Sequence, residues 1–201
     1  MEISKERQSF YDTLKGYNEI IDELQKYPRV EGHIGKYFKT QQTLYDMLKK
    51  HKPKSILEIG TNGCHSACLF LNASPGVKIH TFDICKHEYV KPCVNILKDL
   101  DFDINLIEGD SRESVPQFFK KNDIYFDFIF IDGCHSGGGP YHDMINTKDR
   151  VKVGGLYVID DIKMGDVRNG LRKCDWHNFE KIDTPEASAE GWGIELMRRM
   201  S

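Results

Sequence analysis

The stretch Ser55-Ile56-Leu57-Glu58-Ile59-Gly60-Thr61-Asn62-Gly63-Cys64-His65-Ser66 passes from an apolar, strand-like pentad through a glycine turn into a helical pattern. Residues 126–161 show the same transition twice. Phe126-Asp127-Phe128-Ile129-Phe130-Ile131 ends in Asp132-Gly133-Cys134-His135, and Gly155-Leu156-Tyr157-Val158-Ile159 ends in Asp160-Asp161. In an open α/β sheet, ligands bind beyond the carboxyl ends of the strands. The two segments therefore predict one site and a cofactor-binding enzyme.

Working outward, short β-rich runs alternate with helical ones, the pattern of a doubly wound sheet. Strands are expected at Ser55–Ile59, Lys78–Phe82, Ile104–Glu108, Phe126–Ile131 and Gly155–Ile159, with helices at Ser66–Asn72, Tyr89–Leu100, Ser114–Lys121 and Tyr141–Val151. The near-continuous apolar run at Phe126 marks a central strand covered on both faces. Beyond Asp161, a helix over Asp166–Lys173 leads to strand-like runs at Asn178–Asp183 and Trp192–Met197, a terminal antiparallel hairpin.

Ahead of the first strand, Phe10, Leu14, Tyr17, Ile21 and Leu24 recur at helical spacing, predicting one amphipathic helix over Lys5–Lys26. A second helix is expected over Lys39–Lys50, closed by Pro53. Residues 1–50 thus read as a helical extension, and 51–201 as the cofactor-binding domain. The Gly32–Gln42 stretch is either a lid over the ligand or part of a helical cover.

A chain of 201 residues with 39% hydrophobic content supports one substantial core. A formal net charge of −3 supplies no global positive field, which disfavours a nucleic-acid partner. No span is long and apolar enough for a membrane helix, and Met1–Gln8 is charged where a signal peptide is apolar. The expectation is a cytoplasmic protein with a small-molecule or glycan substrate. An apolar helix face near the amino terminus, if exposed, makes a homodimer reasonable. The cysteines (Cys64, Cys68, Cys85, Cys93, Cys134, Cys174) lack paired spacing, so buried thiols are favoured over a disulfide framework or a zinc site.

Glu58-Ile59-Gly60-Thr61-Asn62 with His65-Ser66 resembles the first motif of class I S-adenosylmethionine-dependent methyltransferases. The likeness continues in order through Thr81-Phe82-Asp83, Glu108-Gly109-Asp110-Ser111 and Asp132-Gly133-Cys134-His135-Ser136 to Val153-Gly154-Gly155 and Asp160-Asp161. This set is similar to the small O-methyltransferase branch that includes catechol and macrocin O-methyltransferases. The resemblance implies a Rossmann-like, mostly parallel seven-stranded sheet with a carboxy-terminal antiparallel hairpin and an amino-terminal helical cover. It also implies S-adenosylmethionine as methyl donor and a hydroxyl acceptor. The branch usually has glycine where this chain has Cys64.

By resemblance, Glu58 and Gly60, with Thr61, Asn62 and Ser66, hold the methionine end of the cofactor, and His65 starts the helix beside it. Asp83 follows Gly60 at roughly the 20-residue interval at which a strand-end acid accepts ribose hydroxyls. Asp110 and Ser111 frame the adenine or form a turn and helix start. Adjacent parallel strands bring Asp132, Asp160 and Asp161 together, and carboxylates so close repel unless protonated or bridged by a cation. An oxygen set completed by water suits magnesium or another hard divalent ion; the metal-dependent members of the branch use this pattern. The other reading has Asp161 capping the next segment and Asp132 touching only the cofactor.

His135 is placed to take a proton from a substrate hydroxyl or to orient Asp132. Tyr141, after a glycine-rich loop, is expected against cofactor or substrate. Trp176 and Trp192 are expected in packing, and Asp143 on the exposed face or in the first turn of the next helix. Two rival functions remain: a nicotinamide-dependent oxidoreductase and a non-catalytic cofactor- or partner-binding protein.

Overall fold

A computed structural model describes residues 5–31 and 37–201. Residues 32–36 of the expected lid lie outside the described residues. Five parallel strands form the body of one sheet: β1 (Ser55–Ile59), β2 (Lys78–Asp83), β3 (Ile104–Glu108), β4 (Phe126–Ile131) and β5 (Val151–Ile159). The hairpin of β6 (Phe179–Ile182) and β7 (Glu195–Arg199) joins antiparallel through β7, giving the order β3-β2-β1-β4-β5-β7-β6. The expected seven-stranded Rossmann-like architecture is observed. Strand order reverses between β1 and β4, where Ile59 lies opposite Ile131, and such a switch point opens a crevice at the strand ends.

The helices are α1 (Lys5–Asp12), α2 (Tyr17–Leu24), α3 (Phe38–His51), α4 (His65–Ala73), α5 (Val90–Asp99), α6 (Ser111–Lys121), α7 (Gly139–Thr147), α8 (Gly165–Lys173) and α9 (Pro185–Ala189). α4 is buried on nearly every face, because α2 and α3 cover the side turned away from the sheet. Its Phe70 meets Phe128 and Phe130 edge-on. Tyr11, Leu14, Tyr17, Ile20 and Leu24 join the same core as Ile56 and Phe70. The apolar face of α1 and α2 is thus turned inward among the described residues.

Several boundaries differ from the sequence expectation, each for a local reason. The predicted Lys5–Lys26 helix is broken: α1 stops at Asp12, a turn follows, and Gly16 at φ 90 precedes α2. α7 stops at Thr147, a 3-10 turn follows over Lys148–Arg150, and β5 starts at Val151. The extra length of β5 bulges between Val151 and Leu156, which pair with Phe126 and Phe128, and Gly154 supplies a φ of 80 within it. α6 begins three residues early because Asp110 caps it. The last strand starts at Glu195 instead of Trp192, and α9 occupies the hairpin connection.

Trp176 packs on Tyr157 and Phe179 as expected, its indole N–H donating to the Leu171 carbonyl at 2.8 Å. Trp192 instead stays 49% exposed. Cys64, Cys68 and Cys93 are buried, whereas Cys134 is exposed. No helix among the described residues is long and apolar enough to cross a membrane.

Candidate active site

A cavity of about 730 Å³ opens at the switch point, lined by residues from the ends of β1, β2, β4 and β5 and from the starts of α4 and α6. Its volume lies within the range of small-molecule and cofactor sites. Gly60 sits where β1 leaves the sheet, with φ 98, and a Cβ there would stand 1.9 Å from the Asp132 carbonyl oxygen. The close approach that this glycine permits is therefore to the backbone of the neighbouring strand end.

Glu58 is fully buried behind the cavity wall. Its carboxylate accepts hydrogen bonds from Ser66 Oγ and Thr81 Oγ1, both at 2.6 Å, and Thr81 Oγ1 meets Thr61 Oγ1 at 2.5 Å. Burial pushes the Glu58 carboxyl up to about 7, against the opposing pull of the two hydroxyls. Thr61, Asn62, His65 and Ser66 do line the cavity, so Glu58 bears on it through Ser66 and Thr61. Cys64 adopts φ 60 as the residue before α4. That left-handed conformation favours glycine, so Cys64 holds it at a cost in strain.

Asp83 stands on the cavity lip, its two oxygens accepting the backbone N–H groups of Asn62 (2.9 Å) and Cys85 (2.7 Å). A carboxylate oxygen has more than one lone-pair site, leaving capacity for a diol. Asn62 also donates to the Glu31 carbonyl at 2.8 Å and accepts from the Tyr89 hydroxyl at 2.8 Å. These bonds tie the amino-terminal segment to the lip. His65 meets Tyr17 edge-on beneath that segment.

Asp110 accepts from the Arg112 backbone N–H at 3.0 Å and pairs with the Arg112 guanidinium, which holds its carboxyl below the usual range. The pair starts α6, as the turn-and-helix reading expects, and both residues line the cavity. Ser111 Oγ donates to Asp143 at 2.6 Å. Asp143, expected on the exposed face or in the first turn of its helix, is 1% exposed, because α7 packs this side against α6. Tyr141, expected at the ligand, instead faces α8: a Cβ on Gly170 would come within 3.0 Å of its backbone nitrogen, and Lys173 approaches its ring.

On the cavity floor, His135 Nε2 lies 3.3 Å from Asp132 Oδ1 and 3.0 Å from Asp161 Oδ2. Hydrogen bonds to those two carboxylates raise its pKa to about 10. Withdrawal from water pushes Asp132 up, and pushes Asp160 well above the carboxylate range, with Asp132 and Asp161 adding repulsion. Asp160 Oδ1 accepts the Asp161 backbone N–H at 2.8 Å.

One ligand atom each from Asp132, His135 and Asp161 fall within 4.8 Å of one another, the one such group among the described residues. The sequence-based trio had Asp160 where this group has His135. Two carboxylates with water access fit a hard divalent ion in donor chemistry.

Tyr37, within the expected lid stretch, lines the cavity, whereas sequence reasoning missed several other wall residues: Glu31, Lys86, His87 and Arg112. None sits in a motif. His87 stacks on Tyr89 with its Nε2 3.2 Å from Glu31, a junction that only folding assembles.

A cleft of this kind, at the switch point of a parallel sheet, is where doubly wound proteins hold a cofactor. Residues 57–162, just over half of the chain, match the family described as a methyltransferase domain, and the chain belongs to that family. The match bears out the resemblance drawn from the motifs and removes the oxidoreductase rival. No curated protein matches the chain.

Among solved structures, the SAH-bound methyltransferase PaMTH1 of Podospora anserina has a TM-score of 0.70 at 16% identity, covering 100% of this chain and 98% of that one. The SAH complex of the Bacillus cereus O-methyltransferase gives 0.69 at 16%, covering 94% and 91%. TomG, an O-methyltransferase of tomaymycin synthesis from Streptomyces achromogenes in complex with SAM, gives 0.68 at 14%, covering 100% and 92%. Identities this low establish a shared fold.

Proposed function

We propose that this protein transfers the methyl group of S-adenosylmethionine to a hydroxyl oxygen of a small molecule or sugar. The observation that carries this reading is the Asp132–His135–Asp161 cluster, placed on the floor of the same cavity whose lip is Asp83. Asp83 is assigned to the ribose hydroxyls, the Asp110–Ser111 wall to the adenine, and the Thr61–Ser66 turn to the amino-acid end.

The reaction forms an O–C bond at the methyl carbon as the S–C bond breaks, and S-adenosylhomocysteine leaves. Holding the acceptor oxygen in line with the methyl removes the entropy of encounter. His135, protonated between two carboxylates, orients them, and a cluster carboxylate receives the acceptor's proton. If the enzyme is metal-assisted, Asp132 and Asp161, with Asp160 beside them, hold a magnesium-like ion, which supplies Lewis acidity to the acceptor hydroxyl.

Calorimetric titration with S-adenosylhomocysteine, with and without magnesium, tests the reading. Saturable binding that is lost in Asp83→Ala supports it and opens a screen of hydroxyl acceptors. Absence of binding in both conditions rejects it in favour of a non-catalytic scaffold.

A further inference from the structure

Asp143, like Glu58, is a buried carboxylate beside the cavity that the proposed reaction leaves without a task. It is 1% exposed on α7, and one of its oxygens accepts the Ser111 hydroxyl at 2.6 Å. The other oxygen has no hydrogen-bond partner among the described residues and lies 3.0 Å from where a Gly133 Cβ would stand. The side chain therefore backs two parts of the cavity wall, the start of α6 and the turn after Asp132.

A buried carboxylate with one partner is a net cost to stability, whereas an apolar side chain of similar size would fill the space without one. Burial raises its carboxyl to about 6, so at pH 8 it is ionised and only accepts hydrogen bonds. The Ser111 hydrogen is then committed to Asp143, and Ser111 presents only lone pairs to the cavity. The neighbouring Asp110 carboxylate is already engaged by Arg112 and by the start of α6.

The geometry points to Asp143 as a positioning residue for purine recognition: it fixes Ser111 as an acceptor, matched to the exocyclic amino group of adenine and mismatched to a 6-oxo purine. This inference rests on the reading that the cavity binds S-adenosylmethionine with its base beside Ser111.

The test is calorimetry at pH 8 with S-adenosylhomocysteine and its hypoxanthine counterpart, S-inosylhomocysteine. The proteins compared are the wild type, Asp143→Leu, Asp143→Asn, Ser111→Ala and the Asp143→Leu/Ser111→Ala double variant. Wild type is expected to favour the adenine compound about tenfold, a single hydrogen bond's worth. Asp143→Leu and Ser111→Ala should each reduce that preference to within about twofold, and the double variant should lose nothing further. Asp143→Asn keeps an acceptor oxygen and should retain the preference.

Asp143→Leu binding with wild-type preference overturns the inference. So does additive loss in the double variant, or loss of the preference in Asp143→Asn. Ser111→Ala, which leaves the α6–α7 packing in place, decides the matter even if Asp143→Leu does not fold, because retained preference there overturns the inference alone. A wild type that binds neither compound rejects the methyltransferase reading itself, and this inference with it.

Discussion

Gly60 and Asp132 are pressed together at the strand ends, so that a Cβ on Gly60 would lie 1.9 Å from the Asp132 carbonyl oxygen. The Asp132 N–H donates to the Ile59 carbonyl at 2.8 Å, and the Gly60 N–H to that of Phe82. Relaxing the clash means parting β1 from β4 where the cavity opens.

Gly60→Ala is accordingly expected to lower stability by about 3 kcal/mol or more, combining left-handed strain with a backbone collision. Gly76→Ala is the control, since Gly76 has φ 77 with nothing near its Cβ position, and strain alone costs about 1 kcal/mol. Urea unfolding of both variants checks this; equal losses would refute the collision argument.

Glu58 should make stability fall as pH rises. Its carboxyl is raised from 4.5 to about 7 in the folded chain, so the folded state holds the proton more tightly. The penalty is absent below pH 4.5, grows as pH rises through about 7, and reaches about 3 kcal/mol when complete. Glu58→Gln removes this slope. Its unfolding free energy should gain on wild type by the same order between pH 5 and pH 8; parallel profiles would contradict the assignment.

The His135 imidazole should remain protonated across neutral pH, held by Asp132 and Asp161. The stability from this pairing is present in full below 6.5 and lost as pH rises through about 10. In proton NMR, its ring resonance is expected not to titrate between pH 6 and 8, and to do so in an Asp132→Asn/Asp161→Asn variant. Manganese should broaden this resonance before those of His80 and His177, and broadening that survives in the double variant would place the ion elsewhere.

Trp176 and Trp192 should respond very differently to truncation. Trp176→Ala removes a ring packed on Tyr157 and Phe179 and is expected to cost about 3–5 kcal/mol. Trp192→Ala, at a half-exposed ring, should stay within about 0.5 kcal/mol. Thermal melts of the two variants decide it.

The strand ends around the site were readable because apolar runs stop abruptly at Glu58–Gly60, Asp83, Asp132 and Asp160, and alternation with helices implies parallel pairing. The break at Gly16, the long bulged β5 and the helix in the hairpin connection were not readable. Each depends on a distant partner: Gly16 lies against Leu100, Gly155 against the Asp127 backbone, and α9 against α3, where the Thr40 N–H donates to Glu190.

The site divides in the same way. The order of acidic and glycine markers, set by local chain chemistry, determined the class of fold, the switch-point location and the family. Tertiary packing decided which side chains act as a group. It buried Glu58 behind the wall, drew His135 instead of Asp160 between Asp132 and Asp161, and turned Asp143 inward onto Ser111. Hydrogen-bond partners and desolvation depend on neighbours from separate elements, and no local spacing encodes them.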